Sequence, residues 1–221
     1  TGEDGVELAV PVDAAVPLWI ALLEAEIARV KAEMGGNFSY TTSEGAEVFL
    51  TKPGAFCDVV AQAVAQQLRP VDALVMSSPA LAASTNAVQK FLLATLPRWF
   101  PHLCVDNGLD AQWVARSPQV VQAYLQDPLV HRKIAAGLAQ WILAEGAKTL
   151  ADAPAWTTPS LLLYAGTDRL VDPQGSARFA AQAPAAWVQA QAFEAMYHEI
   201  FNDPEAEQVF DVLIPWLTQR F

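Results

Sequence analysis

Residues 159–173 have the sequence PSLLLYAGTDRLVDP, and this stretch decides the fold of the chain. A proline introduces the apolar run SLLLYAG, which is the strongest strand pattern in the sequence. A helix is predicted around residues 174–183, and a second strand, WVQAQAF, at residues 187–193. A strand, a helix and a strand in this order predict two neighbouring parallel strands near the C-terminal end of the chain.

The same alternation of strands and helices extends towards both ends of the chain. Residues 17–34 show a helical apolar pattern that ends at two glycines, and the segment VVAQAVAQQL after Asp58 predicts another helix. A last helix is predicted over residues 203–216, opened by a DPE cap. Further strands are predicted at residues 5–10, 47–51 and 72–77, and a polar loop at residues 37–46. The pattern predicts an α/β fold with a mostly parallel sheet, in which ligands bind beyond the carboxyl ends of the strands.

Composition and charge exclude several classes of protein. The 221 residues suffice for one domain with an insertion, and 53% hydrophobic residues exclude wholesale disorder. The net charge of −11 argues against a nucleic-acid partner, because a phosphate backbone needs clustered Lys and Arg. Cys57 and Cys104 have neither disulfide-framework nor metal-ligand spacing. No metal and no cofactor are predicted. No apolar run reaches the roughly 18 residues of a membrane span and no signal peptide is visible, which predicts a soluble, cytoplasmic protein.

The character of the sequence changes between residues 80 and 155. This region has several short helical patterns and large aromatic residues, but no convincing strand. It is too apolar for a linker, so we interpret it as a helical insertion. The predicted domain organisation is therefore an α/β core of residues 1–79 and 156–221, interrupted by the insertion at residues 80–155.

An acid and a histidine follow the last two predicted strands. Asp168 comes after SLLLYAG, and His198 comes after WVQAQAF. Because carboxyl ends of neighbouring parallel strands converge, the two side chains are expected to lie within hydrogen-bonding distance. An acid that holds an imidazole in one tautomer, with the imidazole as general base, is two-thirds of a nucleophile-activating triad. The alternative is that both residues simply cap turns.

Four segments of the chain resemble one branch of the α/β-hydrolases. They are SSPAL (77–81), DPLVHRK (127–133), LLLYAGTDRLVDP (161–173) and YHEIF (197–201). All four are similar to segments of the monoacylglycerol lipase and lysophospholipase branch and occur in the same order. The acid-before-histidine order at the C-terminal end is also the order of this superfamily.

The resemblance implies roles for particular residues. Asp168 corresponds to the acid of the family's catalytic triad and His198 to its histidine, whereas Asp172 would be a neighbouring acid outside the triad. The insertion at residues 80–155 corresponds to the cap that covers the acyl site. The ligand would be a small lipid or acyl ester of monoacylglycerol or lysophospholipid type, with peripheral membrane contact through the cap.

The N-terminal part departs from the family. Members carry an early His-Gly motif for the oxyanion hole, but all three histidines of this chain lie at or after residue 102. Members also carry Gly-x-Ser-x-Gly between a strand and a helix, where this chain has TKPGAFCD, with Gly54 or Ala55 at the nucleophile position. The first seventy residues also have too little room for the remaining strands of the family's sheet. The sequence therefore predicts a reduced or incomplete α/β-hydrolase fold, or a homodimer in which a second chain completes the sheet.

Replacement nucleophiles can be named, but each has a simpler explanation. Cys57 would be favoured as a thiolate at a helix N-terminus, yet it lies two or three positions late and free cysteines are often buried. Asp58 could act as a nucleophile, but helix capping explains its position. Ser43 precedes the strand instead of following it, and Ser77 and Ser78 precede a proline that indicates a structural turn.

The other candidates have mainly structural interpretations. His131 is expected to form hydrogen bonds in the insertion, and His102 to lie in a loop. Packing, or the lining of an acyl channel, is expected of Trp99, Phe100, Leu103 and Trp113.

Two functions remain open from the sequence. The first is an esterase or lipase acting on monoacylglycerol- or lysophospholipid-type esters, and the second is a catalytically inactive scaffold that binds a ligand or dimerises. Without a recognisable nucleophile, the chain as given is not expected to hydrolyse esters at a family-like rate.

Overall fold

The computed structural model describes residues 38–41, 47–50, 61–62, 64–66, 71–83, 93, 95–100, 103–127, 130 and 132–220, the first two ranges by their backbone alone. The predicted strand at residues 5–10, the predicted helix at residues 17–34 and the turn TKPGAFCD lie outside these residues.

The described residues form both strands and helices. In chain order the strands are β1 (Phe38–Thr41), β2 (Glu47–Leu50), β3 (Ala73–Ser77), β4 (Cys104–Asp106), β5 (Lys133–Ala135), β6 (Ser160–Ala165) and β7 (Val188–Phe193). The helices are α1 (Pro118–Gln126), α2 (Ala136–Asp152), α3 (Pro173–Gln182) and α4 (Glu207–Thr218). Helical backbone at residues 61–62 and 64–65 lies within the helix predicted from VVAQAVAQQL.

The main sheet has the strand order β1-β2-β3-β6-β7. Strands β2, β3, β6 and β7 run parallel, as predicted. At the carboxyl ends of the last two strands, Ala165 pairs with Phe193. The loops that follow β6 and β7 therefore leave the sheet at the same edge, which is where parallel sheets bind ligands.

One edge strand contradicts the prediction of a loop over residues 37–46. Residues Phe38–Thr41 form β1, which pairs antiparallel with β2. The polar sequence FSYT lacks the apolar pattern of the other strands, so its extended conformation depends on pairing with β2 and not on local sequence.

The apolar run of β6 is buried on both faces of the sheet. Leu161 and Leu163 lie in one core cluster with Trp216 of α4, whereas Leu162 lies in a second cluster with Phe179 of α3. Successive side chains of a strand point to opposite faces, so α3 and α4 cover opposite faces of the sheet. This two-sided burial explains why SLLLYA is continuously apolar.

Residues 104–135 contradict the prediction that the insertion contains no strand. β4 and β5 form a separate two-stranded antiparallel sheet, in which Val105 pairs with Ile134. Each strand has only three residues, and those of β4 are exposed, so neither shows the period on which a sequence-based prediction rests.

Helix α2 packs against the core at Gly146. A Cβ atom at this position would lie 2.9 Å from the carbonyl oxygen of Ala80, so the close approach requires glycine. One turn further on, Thr149 donates to Gln62 over 3.3 Å, and Gln62 donates to Asp152 over 3.1 Å.

The assignment of residues 80–155 as a separate cap stays a prediction. None of the helices described here is both long and apolar enough to cross a membrane.

Candidate active site

Asp168 lies in the turn directly after β6, and backbone amides fix its carboxylate. Its Oδ1 accepts hydrogen bonds from the amides of Leu170 over 2.8 Å and Val171 over 3.1 Å. The side chain is only 1% exposed. With Oδ1 occupied by the loop backbone, Oδ2 is left to face His198.

His198 follows β7 and meets Asp168. The distance from His198 Nδ1 to Asp168 Oδ2 is 2.7 Å, and the histidine side chain is 10% exposed. The predicted contact is therefore confirmed. A carboxylate accepts only, so Nδ1–H donates and Nε2 carries the lone pair of the neutral ring. In this tautomer the imidazole can take a proton from a nucleophile through Nε2, while the catalytic roles themselves stay a prediction.

The two loops that carry these residues are joined to each other. The amide of Gly166 donates to Phe193 over 2.9 Å, and the hydroxyl of Thr167 donates to the carbonyl of Met196 over 2.8 Å. Gly166 also packs directly on the other loop, because a Cβ atom there would lie 2.8 Å from the Cα atom of Glu194. Asp168 and His198 are thus held by backbone contacts between their loops as well as by their own hydrogen bond.

Trp113 of the insertion lies between the two loops. Its ring centroid is 5.2 Å from that of Tyr197, the residue before His198. The guanidinium of Arg169, the residue after Asp168, lies 3.6 Å from the centre of the Trp113 ring. Next to it, the carbonyl of Val114 accepts from the amide of Glu199 over 2.8 Å. Trp113 therefore packs against residues of both loops, as one of the two sequence-based alternatives predicts.

Arg116 forms an ion pair that the sequence analysis missed. Its Nε donates to Asp203 Oδ2 over 2.9 Å, its Nη2 donates to Asp203 Oδ1, and Nη2 also donates to Glu205 over 2.8 Å. The Asp203 side chain has no exposed surface, whereas that of Arg116 is 28% exposed. The two carboxylates raise the pKa of Arg116 above its already high ordinary value.

The prediction that the DPE sequence opens the last helix is wrong by a few residues. Helix α4 begins at Glu207 with Ala206 as its cap, and Asp203 lies in the preceding turn. Its carboxylate is used by Arg116 and by the amide of Glu205. The DPE sequence looks like a helix cap, which is a sufficient local explanation for Asp203. No local feature of the sequence indicates that Asp203 pairs with Arg116, 87 residues earlier in the chain.

The remaining acid, Asp172, has a structural function. Its side chain accepts from the amide of Gln174 over 3.0 Å and caps the start of α3. Its place outside the triad stays a prediction.

The two serines at the carboxyl end of β3, Ser77 and Ser78, are buried. Ser78 has a positive φ of 39° and accepts from the amide of Ala165 over 3.3 Å. Ser77 Oγ is buried, with no hydrogen-bond partner within the described part of the chain. Both hydroxyls lie inside the protein, which fits the predicted structural turn better than a nucleophile.

The other predicted candidates divide into two groups. Outside the described residues lie Ser43, Gly54, Ala55, Cys57, Asp58, His102 and His131. Among the aromatic and aliphatic candidates, Trp99 is 74% exposed, Phe100 is 61% exposed and Leu103 is 47% exposed. These three do not pack in the core, and a role in an acyl channel stays a prediction.

Asp168 and His198 both lie in the part of the chain that matches a known protein family. Residues 57–205 match the family model described as serine aminopeptidase, S33. The match includes both residues of the pair and begins after the positions of Gly54 and Ala55.

Two curated relatives are lipid hydrolases. A monoacylglycerol lipase of Mycolicibacterium smegmatis is 36% identical over 152 residues, which is 67% of this chain and 54% of that protein. Phospholipase YtpA of Bacillus subtilis is 30% identical over 151 residues, 66% of this chain and 58% of that protein. The chain therefore spans little more than half the length of these relatives.

Solved structures share the fold. The crystal structure of Paleococcus ferrophilus monoacylglycerol lipase superimposes with a TM-score of 0.72 at 26% identity, covering 96% of this chain and 77% of that one. A monoglyceride lipase of Saccharomyces cerevisiae gives a TM-score of 0.68 at 17% identity, covering 90% of this chain and 67% of that one, and shows likeness of fold alone.

Proposed function

Since the chain belongs to the serine aminopeptidase S33 family of α/β-hydrolases, in its monoacylglycerol lipase-like branch, we propose that it carries the acid and base of a carboxylic ester hydrolase. The observation that carries this proposal is the 2.7 Å contact between Asp168 Oδ2 and His198 Nδ1 at the carboxyl edge of the sheet. Asp168 acts as the acid of the triad and His198 as its base.

The proposed reaction is acyl transfer in two steps. His198 Nε2 accepts the proton of a hydroxyl or thiol nucleophile as that group attacks the ester carbonyl carbon. The imidazolium, stabilised by the Asp168 carboxylate, then gives this proton to the departing alcohol. Water attacks the acyl intermediate with the same histidine as base, which releases the fatty acid and restores the nucleophile.

The proposed substrates are monoacylglycerol- or lysophospholipid-type esters. The names of the two curated relatives, a monoacylglycerol lipase and a phospholipase, support this class. Peripheral membrane contact through residues 80–155 is part of the proposal, supported by the exposed large apolar side chains Trp99, Phe100, Leu103, Leu138 and Trp141. We also place the protein in the cytoplasm.

The missing part of the proposed site is the nucleophile with its oxyanion donors. At the expected position the sequence has TKPGAFCD, with Gly54 or Ala55 in place of the serine. The nucleophile must then come from another residue, from chain beyond this sequence or from a second copy in a homodimer. The alternative function is a catalytically inactive scaffold, and the absence of serine from this turn is the observation that favours it.

A gain-of-function experiment tests the proposal. Purified protein of verified mass is assayed with a p-nitrophenyl butyrate substrate and with a monoacylglycerol, as wild type and as Gly54→Ser and Ala55→Ser variants. We expect little turnover by the wild type and turnover by one serine variant that disappears when His198→Ala is added. If neither the wild type nor a folded serine variant shows turnover that depends on His198, the inactive scaffold is the better conclusion.

A further inference from the structure

We propose that residues 113–116, here called the clasp, position the imidazole of His198 against Asp168. The clasp belongs to the insertion and contacts the segment 197–205 through three of its residues, Trp113, Val114 and Arg116. Its catalytic meaning rests on the proposed function, but its effect on the histidine does not require turnover. Arg116 and Trp113 are positioning residues, because they act on His198 through Asp203 and Tyr197 of the same segment.

These residues contact the chain on both sides of His198. Trp113 packs against Tyr197, one residue before the histidine. Val114 accepts from the amide of Glu199, one residue after it. Arg116 holds both carboxylate oxygens of Asp203, five residues after it. A segment held immediately before and after one residue leaves that residue little freedom to change its direction.

The segment that the clasp holds has little regular structure of its own. It comprises a single 3-10 turn, Ile200–Asn202, followed by a turn that leads into α4. Two buried residues anchor it to the core: Met196, directly before the segment, is 1% exposed, and Ile200 within it is 0% exposed. These anchors keep the segment folded against the sheet without the clasp. The clasp therefore sets the orientation of His198 and is not needed for the segment to fold. Variants of the clasp are therefore expected to fold.

The charge of Asp203 makes the Arg116 contact necessary. A carboxylate with no exposed surface loses its water, and the bidentate guanidinium replaces the lost hydrogen bonds. Without Arg116, the Asp203 carboxylate keeps the amide of Glu205 as a donor but loses the guanidinium, and we expect the segment to move so that Asp203 reaches water. Because His198 precedes Asp203 by five residues in the same segment, this movement would be transmitted to the imidazole.

Trp113 also links the clasp to Asp168. The Trp113 ring contacts Arg169, the residue after Asp168, and Tyr197, the residue before His198. A cation close to an aromatic face is attracted to it, and the aromatic pair adds a packing contact. The side chain of Trp113 thus contacts a residue next to Asp168 and a residue next to His198.

The test uses a signal that needs no turnover. A hydrogen bond from His198 Nδ1–H to Asp168 gives a strongly downfield proton NMR resonance, which His198→Ala identifies by its disappearance. We expect the resonance in the wild type, its loss or a marked shift in Arg116→Met, and its recovery in Arg116→Lys. The matched control is Arg178→Met, an exposed arginine on α3, which is expected to leave the resonance unchanged.

The outcomes separate the clasp from the proposed function. A folded Arg116→Met protein with the wild-type resonance, or a wild type without one, overturns the clasp. Should Arg116→Met fail to fold, Trp113→Leu decides in its place, and an unchanged resonance there overturns the proposal. In a serine variant that turns over, we expect Arg116→Met to lower kcat by roughly tenfold to a hundredfold at unchanged KM. Resonance changes without any ester turnover support the clasp while contradicting the hydrolase.

Discussion

The hydroxyl of Thr167 donates to the carbonyl oxygen of Met196 over 2.8 Å, one residue before Asp168 and two residues before His198. This single side-chain hydrogen bond joins the loop after β6 to the loop after β7. Together with the Asp168–His198 contact it makes a short ladder between the two loops, in which each hydrogen bond restricts the geometry of the other.

Removal of that hydroxyl is expected to weaken the junction of the loops. Thr167→Val should lower the free energy of unfolding by about 0.5–1.5 kcal/mol, the usual net value of one hydrogen bond. Urea denaturation measures the change, with Thr157→Val, an exposed threonine, as the control. A loss no larger in Thr167→Val than in the control would show that the bond contributes nothing.

Asp168 and Asp172 offer a matched pair for the role of the acid. Asn at position 168 can turn its amide N–H towards Nδ1 and favour the wrong tautomer. In a serine variant that turns over, Asp168→Asn should therefore lower kcat by about 10⁴-fold. Asp172→Asn should leave kcat and stability nearly unchanged, because Asn caps a helix as well as Asp does. Equal effects of the two substitutions would contradict the assignment of Asp168.

Gly166 is expected to tolerate no side chain. A Cβ atom there would lie 2.5 Å from Glu194 Oε2 and 2.8 Å from Glu194 Cα, so Gly166→Ala should cost about 1–3 kcal/mol in urea denaturation. The double variant Gly166→Ala/Glu194→Ala removes the carboxylate but leaves the backbone clash. We expect it to recover little stability, and full recovery would mean that the backbone is free to yield.

Tyr164 predicts how stability depends on alkaline pH. Burial, and then the Glu194 carboxylate, raise the pKa of Tyr164 above its ordinary value. The folded protein holds the neutral phenol better than the unfolded chain does, so this contribution to stability is complete below about pH 10 and is lost as the pH rises through the folded pKa. Tyr164→Phe should flatten the fall in unfolding free energy above about pH 10, measured by urea titrations at several pH values. An unchanged slope contradicts the prediction.

Local sequence predicted the acid and the base because both follow strands with clear patterns. SLLLYA and VQAQAF mark the ends of β6 and β7, and parallel pairing then brings Asp168 and His198 to one edge. Their partners in the insertion left no such signal. Arg116 and Asp203 are 87 residues apart, and the capping pattern offered a sufficient local explanation for the acid. The sequence did not predict strands β1, β4 and β5, because they are extended through pairing with a neighbouring strand and lack the apolar pattern of a buried strand.

The strand order also has a consequence for the time course of folding. β3 pairs with β6, Leu74 opposite Ser160, although the whole insertion lies between them in the chain. Loop closure over so long a segment is entropically costly and slow, whereas β6, α3 and β7 are neighbours in sequence. We expect this C-terminal unit, with the residues of the acid–base pair at its loops, to form early during refolding. β3 would join it only after the insertion has collapsed, and until then the β3-facing edge of β6 is open to pairing with another chain.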